Sequence, residues 1–270
     1  MHMSLNVEGK VMKQTLKVTA LVLAFLLAFG GVSALADTGK TVINVGTNPE
    51  FAPFEFVGDD GQDTGIDMDI INAVFAAIDP NIQVNMVNMS FDGLIPALTS
   101  GKIDVVIAAM TITDERKQSV LFSDPYFDAT QKLIVKDGSP ITGLADLVGK
   151  KIGVQMGTTG DFFVSDPTNV SSADIQRFDK ALDAVVQLAD GKLDAVMLDQ
   201  APAEMYSTQV GGVTVLPDKF SNEQYGIAFK LDQQDMVDKV NAALKTLIDD
   251  GTLQQIIDKY QSQTANATAS

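Results

Sequence analysis

The chain has 270 residues, of which 46% are hydrophobic, a formal net charge of −16 and no cysteine. This length and apolar content suit one large or two modest domains, and the missing cysteine excludes disulfides and thiolate metal sites. The single histidine, His2, stands at the extreme N-terminus, which excludes histidine catalysis and histidine metal clusters. The acidity argues against a nucleic-acid partner, because phosphate contacts need basic patches.

The first predicted element is a signal peptide over residues 1–36. Three lysines precede the uncharged stretch Val18–Ala36, which ends in Ala-Leu-Ala, a small-x-small cleavage pattern. We predict cleavage after Ala36 and export to the periplasm, without a lipid anchor because there is no cysteine to carry one. The alternative is an uncleaved membrane anchor, since these 19 uncharged residues are just enough to span a bilayer. Met1 and Met12 are alternative initiators, because the sequence from Met12 alone makes a charged start.

Two short patterns then occur twice, in the same order. "VINVGT" at Val42–Thr47 is similar to "KIGVQMGT" at Lys151–Thr158, and "LTSGKIDVVIAAM" at Leu98–Met110 is similar to "LADGKLDAVMLDQ" at Leu188–Gln200. Each pair predicts a unit of strand, turn, helix and strand. We therefore expect two α/β lobes of similar plan, each a mostly parallel sheet flanked by helices. The alternative is chance recurrence, which is common in α/β chains.

Helices are predicted where apolar residues recur at helical spacing and a stop signal follows. They are expected at Gly65–Ile78, at 91–101 with Pro96 in the first turns, at Asp179–Gly191, and at 232–250 and 252–262 with Gly251 between them. The polar tail over 263–270 is predicted to be disordered.

Ligands of open α/β sheets bind at the carboxyl ends of the strands. The four repeated strands end near Thr47, Met110, Gln155 and Leu198. If the two lobes face each other, the four turns after these strands converge on a cleft and supply candidate ligand contacts.

Arg116 follows one of these turns, and the segment "TDERKQSV" around it predicts a short helix capped by Thr113. The free N–H groups of a helix N-terminus attract anions, and an arginine adds a fork that fits a carboxylate. Thr111 adds a hydroxyl to this clamp. The alternative is an ion pair on the surface between Arg116 and Glu115 or a nearby aspartate.

Asp199 ends the corresponding strand of the second unit and is a candidate partner for an ammonium group. The alternative is a helix cap before "APAEMYS". A carboxylate clamp at Arg116 and an ammonium acceptor at Asp199 together fit a free α-amino acid. Phe51 and Phe91 are candidates to flank its side chain, with core packing as the alternative.

Several segments occur in the order found in periplasmic amino-acid-binding proteins of ABC importers. They are "GTNPEFAPFEF", "GIDMDI", "FDGLIPAL", "GKIDVVIAAMTITDERKQSVLFSDPYF", "GTT", "AVMLDQ" and "QYGIAF". The chain resembles this family over about 42–260, and most closely its polar amino acid group with the glutamine, histidine and lysine/arginine/ornithine binders.

The resemblance implies the type II periplasmic-binding-protein fold, an α/β fold of two lobes with a two-strand hinge. Lobe one would comprise 40–130 plus 223–262 and lobe two 135–218, with the hinge near 129–133 and 219–222. In the family, the residue matching Arg116 binds the ligand carboxylate and the one matching Asp199 binds its ammonium. The resemblance also assigns further residues to the ligand site, namely Phe51, Phe91, Thr111, Ala109, Thr158 and Thr159.

Departures from the family pattern bear on the ligand. Asn48 stands where the basic-residue binders and the glutamine binder carry an aspartate, and Gln155 stands where glutamine binders resemble a lysine. Ala108 and Ala109 replace small polar residues of the basic-residue binders. We therefore expect a neutral polar amino acid, with glutamine favoured.

The resemblance implies a monomeric protein that captures a free L-amino acid by hinge closure and delivers it to the membrane subunits of an ABC permease. No cofactor and no metal are expected. One alternative is an enzyme of the same fold, a dehydratase acting on small carboxylic acids, for which Glu50, Glu55 and Asp199 are the acid–base candidates. Another is a sensor component that presents its ligand to a separate receptor.

Overall fold

The computed structural model describes residues 41–268, and their side chains as far as residue 261. Residues 1–40, which include the predicted signal peptide, and residues 269–270 lie outside the described residues. In the part of the chain that is described, none of the helices combines the length and the apolar character needed to cross a membrane.

The described residues form fifteen strands and seven α-helices. The strands are β1 (Thr41–Thr47), β2 (Glu50–Phe51), β3 (Glu55–Val57), β4 (Asp63–Thr64), β5 (Ile82–Asn88), β6 (Val105–Val106), β7 (Leu121–Phe122), β8 (Phe127–Ala129), β9 (Gln131–Lys136), β10 (Lys151–Gln155), β11 (Asp174–Phe178), β12 (Ala195–Asp199), β13 (Val213–Val215), β14 (Glu223–Tyr225) and β15 (Ala228–Phe229). The helices are α1 (Ile66–Ile78), α2 (Leu94–Thr99), α3 (Thr159–Ser165), α4 (Ala181–Ala189), α5 (Gln200–Val210), α6 (Gln234–Asp249) and α7 (Thr252–Thr268).

Two five-stranded sheets have the same strand plan. The first has the order β5-β1-β6-β15-β7 and the second the order β11-β10-β12-β9-β13. In each sheet the first three strands are parallel, the fourth is antiparallel to the third, and the fifth is antiparallel to the fourth. Four of the five strands therefore run in one direction, and the predicted two-lobed α/β architecture with mostly parallel sheets is confirmed.

The chain passes twice between the two sheets. Strands β8 and β14 pair antiparallel beside this passage. The backbone N–H of Gln131 donates to Ser221 Oγ at 2.9 Å, and the N–H of Phe220 donates to the Gln131 carbonyl at 3.1 Å. The predicted hinge residues lie in these two segments, while the lobe boundaries and the hinge motion stay predictions.

The predicted helices are found with shifts of one to a few residues at their ends. Pro96 is the third residue of α2, where a proline costs no helical hydrogen bond. Gly251, with φ of 81°, separates α6 from α7. The backbone of α7 continues to Thr268, which differs from the disorder predicted for 263–270, because the glutamine and the two alanines there are compatible with a helix.

The hydrophobic core beside the hinge is aromatic. The ring of Phe54, which is fully buried, contacts Phe127 and Tyr225 edge to face, with centroids 4.9 and 5.1 Å away. Edge-to-face packing of this kind adds about 1 kcal/mol per pair beyond the buried area. Phe54 thus stabilises the region where the two lobes join.

Candidate functional site

One enclosed cavity is lined by residues from both lobes. They are Phe51, Phe91, Ala108, Ala109, Thr111, Arg116, Gln155, Thr158, Thr159 and Asp199. Nine of these ten were predicted as ligand contacts from the sequence. The remaining predicted residue, Asn48, is buried and its side-chain oxygen accepts a hydrogen bond from Gln155 Nε2 at 2.9 Å.

The strand plan explains why these residues meet. Asn48 follows β1, Gln155 ends β10 and Asp199 ends β12, while residues 108–111 follow β6. All four strands present their carboxyl ends to the same cavity, as expected for parallel strands of two facing sheets.

Arg116 lies on the lobe-one wall and is only 7% exposed. Its Nη1 donates to the Thr111 carbonyl at 2.7 Å and its Nη2 donates to the Gly157 carbonyl of the other lobe at 3.1 Å. The guanidinium carbon also lies 5.3 Å from the centre of the Phe91 ring, within cation–π range. Among the described residues Arg116 forms no salt bridge. The alternative, an ion pair on the surface, is therefore not observed.

The electrostatics of Arg116 reflect its burial. Burial lowers the pKa of the guanidinium, and the negative charges of Glu223 and Asp199 oppose that shift. Arginine stays charged under these conditions because its ordinary pKa is so high. The wall therefore presents a desolvated cation whose two terminal nitrogens each donate to a backbone carbonyl.

The helix predicted around Arg116 is shorter in the structure than the sequence indicated. Only Arg116–Gln118 form a turn of 3-10 helix, although Thr113 Oγ1 does accept the Arg116 N–H at 3.1 Å. The chain enters β7 at Leu121, so there is no room for a longer helix. A single turn is too short to supply the helix N-terminus that was expected to attract the anion, so the positive charge of this wall comes from the guanidinium of Arg116.

Asp199 lies on the lobe-two wall and is 5% exposed. It occupies the N-cap position of α5, yet its carboxylate makes no capping hydrogen bond; Asp199 Oδ1 instead accepts from the Tyr225 hydroxyl at 2.7 Å. Burial, and then the charge of Glu223, raise the pKa of Asp199 to about 7. The helix-cap alternative thus explains only its position, and the carboxylate is available to the cavity.

A pair of amides joins the two lobes at one end of the cavity. Gln155 Nε2 donates to Asn48 Oδ1 and, at 3.1 Å, to the Asp179 carbonyl. Asn48 Nδ2 donates in turn to the Met89 carbonyl at 2.9 Å. Both side chains are neutral, so this end of the cavity is polar without a charge of its own.

Sequence reasoning missed a buried carboxylate behind the lobe-one wall. Asp67 Oδ2 accepts the backbone N–H of Ala109 at 2.7 Å and the Tyr126 hydroxyl at 2.9 Å. Ala109 has φ of +44°, a left-handed conformation that is uncommon outside glycine. Asp67 therefore stabilises a strained turn of the cavity wall.

Glu55, also fully buried, interacts with this aspartate. Burial, and then the charge of Asp67, raise the pKa of Glu55 well above its ordinary value, while burial raises the pKa of Asp67 to about 7. No donor among the described residues reaches the carboxyl oxygens of Glu55 or Oδ1 of Asp67. A proton between the two carboxyls gives each of them a hydrogen-bonding partner. The sequence held a signal for this pair, since Glu55 lies between two phenylalanines in "FEF" and Asp67 lies among apolar residues in "GIDMDI".

Two lobes of equal plan that enclose a polar cavity define a two-lobed binding protein. Residues 43–263 match the family of bacterial extracellular solute-binding proteins, family 3. The chain therefore belongs to this family of solute-binding proteins, and the resemblance noted in the sequence is confirmed.

Named relatives and solved structures are similar over most of their length. A probable histidine-binding protein of Neisseria gonorrhoeae is 38% identical over 230 residues, which is 83% of this chain and 84% of the relative. An L-arginine-binding protein of Pseudomonas aeruginosa is 34% identical, covering 87% of this chain and 94% of the relative. A structure of an ancestral arginine-binding protein bound to glutamine is 42% identical with a TM-score of 0.76, covering 81% of this chain and 97% of that one.

Proposed function

We propose that this protein captures a free L-amino acid in the cavity between its lobes and delivers it to the membrane subunits of an ABC permease. The protein acts in the periplasm as a monomer, after removal of the signal peptide over 1–36. The family and the amino acids named for its relatives support this reading.

One observation carries the proposal. Arg116 from one lobe and Asp199 from the other are both buried in the wall of one cavity. A zwitterion brings a carboxylate and an ammonium to such a pair, and each group finds an opposite charge in a site where water is excluded. Neither wall alone recognises both ends of the ligand, so binding and closure of the lobes are coupled.

The ligand we favour is a neutral polar amino acid, glutamine first. Asn48 and Gln155 form a neutral amide pair, which can donate to and accept from an amide without fixing a charge. Phe51 and Phe91 supply apolar faces against the stem of the side chain. Glutamine is also the ligand in one solved structure that is similar to this chain.

A basic ligand is the second candidate, because relatives are named for arginine and histidine. The acidic charges of Glu223 and Asp199 favour such a ligand electrostatically. The amide pair disfavours it, since a buried cation without a carboxylate partner is costly.

A calorimetric titration of residues 37–270, unfolded and refolded beforehand to remove carried-over ligand, tests the proposal. The panel contains L-glutamine, L-glutamate, L-arginine, L-histidine, L-alanine and 4-carbamoylbutanoate, which is glutamine without its amino group. We expect glutamine to bind most tightly and the analogue to bind at least about a hundredfold more weakly, because Asp199 loses its partner. Tightest binding of arginine or histidine would replace the proposed ligand, and no binding across the panel would refute amino-acid capture.

The enzyme alternative has little support in the cavity. Glu50, one of its acid–base candidates, forms an ion pair with Lys180 at 2.7 Å outside the cavity lining, and Glu55 is buried behind the wall beside Asp67. Asp199 is the single candidate in the lining, and the carboxylate already accepts from Tyr225. Turnover of a small carboxylic acid such as prephenate or arogenate would overturn the binding-protein reading.

A further inference from the structure

Glu223 is a charged residue at the junction of the lobes that sequence reasoning did not single out. It begins β14, the strand that follows the second hinge segment. Its Oε2 accepts the hydroxyl of Thr111 at 2.6 Å and the hydroxyl of Thr159 at 2.8 Å. Its Oε1 accepts the hydroxyl of Ser221 at 2.7 Å. One carboxylate thus accepts hydrogen bonds from three hydroxyl groups.

The two threonines belong to opposite lobes. Thr111 follows the first sheet and forms a β-bridge with Tyr225. Thr159 is the first residue of α3, which follows strand β10 of the second sheet, and its Oγ1 also accepts from Gln131 Nε2 at 3.2 Å. A single oxygen of Glu223 therefore holds one hydroxyl from each lobe, which requires the lobes to be together.

The bond from Thr111, at 2.6 Å, falls in the distance range of strong hydrogen bonds from a hydroxyl to an ionised oxygen, and the bond from Thr159, at 2.8 Å, has the ordinary length of a hydroxyl hydrogen bond. An ionised carboxylate only accepts, so both threonines must donate their hydroxyl protons to it. When the lobes separate, at least one of the two bonds breaks, because Glu223 cannot follow both threonines. The bonds thus stabilise the closed conformation more than the open one, and this difference raises the population of closed molecules.

We propose that Glu223 is a latch that holds the closed lobes together and thereby sets how long the ligand stays bound. The residue is a positioning residue, since it acts through Thr111 and Thr159. The proposal rests on the proposed function, in which lobe closure traps an amino acid. It concerns the step after capture, so the rate of ligand association depends on the lobe-one wall and the rate of dissociation depends on the latch.

The test compares Glu223→Ala and Glu223→Gln with the wild-type protein and with Gln224→Ala. Gln224 is the next residue of the same strand and is exposed. Its side chain donates a hydrogen bond to Asp128 and, among the described residues, has no bond to either threonine. Association and dissociation rates are measured by stopped flow with L-glutamine, and with L-arginine if glutamine does not bind. We expect Glu223→Ala to raise the dissociation rate ten- to a hundredfold and to leave the association rate within about threefold. Glu223→Gln should give a smaller rise, because the amide oxygen still accepts from both threonines.

A second readout follows the lobes directly. The chain has no cysteine, so Lys102→Cys and Lys192→Cys, at exposed positions of the two lobes, allow a dye pair to be attached. Single-molecule energy transfer without ligand should show fewer closed molecules in Glu223→Ala than in Gln224→Ala. This arm tests the latch even if no amino acid on the panel binds, so its failure is separate from failure of the proposed function.

A double-mutant cycle with Thr159→Val tests the mechanism. Because both residues act through one bond, Thr159→Val should change the dissociation rate much less in the Glu223→Ala background than in the wild type. Unchanged dissociation and unchanged lobe populations in both Glu223 variants would overturn the latch. If Glu223→Ala does not fold, as judged by circular dichroism, Glu223→Gln decides the question with the same readouts.

Discussion

In each lobe a buried aspartate accepts a hydrogen bond from a backbone N–H in a turn of the cavity wall. The side chain beside that aspartate is an acid in lobe one and an arginine in lobe two. In lobe one, Asp67 from the first turn of α1 binds the N–H of Ala109, and its neighbour is the acid Glu55. In lobe two, Asp161 from the first turn of α3 accepts the N–H of Gly157 at 3.2 Å, and its neighbour is Arg177, whose Nε lies 2.9 Å away.

The same strand plan thus accommodates the charge of a buried aspartate in two different ways. The two sheets share a strand plan, and both need an acceptor for a free N–H in the turn after a strand. Lobe two compensates its aspartate with a cation, whereas lobe one depends on a retained proton. The surfaces facing the cavity differ too, with the cation Arg116 on one wall and the anion Asp199 on the other.

The largest expected effect comes from removing the cation of the lobe-one wall. Arg116→Ala should weaken binding of the amino acid at least about a thousandfold, roughly 4 kcal/mol, because the ligand carboxylate would be buried without a partner. Calorimetry measures this loss. The matched control is Lys117→Ala, which removes an exposed lysine from the adjacent position and should bind as the wild type does. An Arg116→Ala protein of near wild-type affinity would remove the arginine from the ligand site.

The acid pair of lobe one predicts how stability changes with pH. The folded protein keeps the Asp67 proton up to a pKa of about 7, whereas the unfolded chain loses it near 3.8. Between these values the folded state binds more protons, so the free energy of unfolding falls as pH rises from about 4 to 7. Asp199, also raised to about 7, acts in the same direction. The decrease from Asp67 is at most about 4 kcal/mol.

Glu55→Gln is the variant that isolates this pair. The glutamine removes one buried carboxyl and leaves an amide that donates to Asp67, so thermal melts between pH 4 and 8 should show a shallower decrease. Glu204→Gln, at an exposed position of α5, serves as the control and should keep the wild-type slope. A slope that stays the same in Glu55→Gln would mean that the two acids do not share a proton.

The anion of the lobe-two wall should have the next largest effect. Asp199→Asn is expected to weaken glutamine binding by about two orders of magnitude, since the ligand ammonium loses its charged partner. Binding of 4-carbamoylbutanoate, which has no ammonium, should change little. Asp183→Asn removes an exposed carboxylate of the same lobe as a control. Equal losses for both ligands would show that Asp199 does not contact the ammonium.

A smaller effect is expected from the amide pair that joins the walls. Asn48→Asp introduces a carboxylate at the neutral end of the cavity and should improve arginine relative to glutamine by about tenfold, or about 1.4 kcal/mol. Competition between the two amino acids measures the ratio. Asn85→Asp, on an exposed strand position, controls for the added charge. An unchanged ratio would place the ligand side chain away from Asn48.

The smallest effect should come from the exposed contact between the lobes. Lys180 Nζ lies 2.7 Å from Glu50 Oε1, and both side chains are more than a third exposed. Solvent screens such a pair, so Lys180→Ala should weaken ligand binding less than about fivefold. A greater loss in a titration at physiological salt would show that lobe closure depends on this surface contact as well as on buried ones.

Local sequence patterns located the helices and strands and led to several residues of the cavity wall. Apolar spacing and stop signals located α1, α4, α6 and α7, since these signals act within a few turns of chain. The repeated strands, with the rule for carboxyl ends, led to the turns that hold Gln155 and Asp199. The family resemblance then added the remaining wall residues from their matching motifs.

The groups that hold that wall in place are identified by contacts between residues that are distant in the sequence. The bonds from Asp67 to Ala109 and from Glu223 to Thr111 join residues 42 and 112 positions apart. Such partners depend on how the sheets pack, and no local pattern specifies them. The same packing replaced the predicted helix at Arg116 with a 3-10 turn, because the chain must return at once to β7. Spacing along the chain indicates candidates, whereas burial and distance in space decide their charge and their partners.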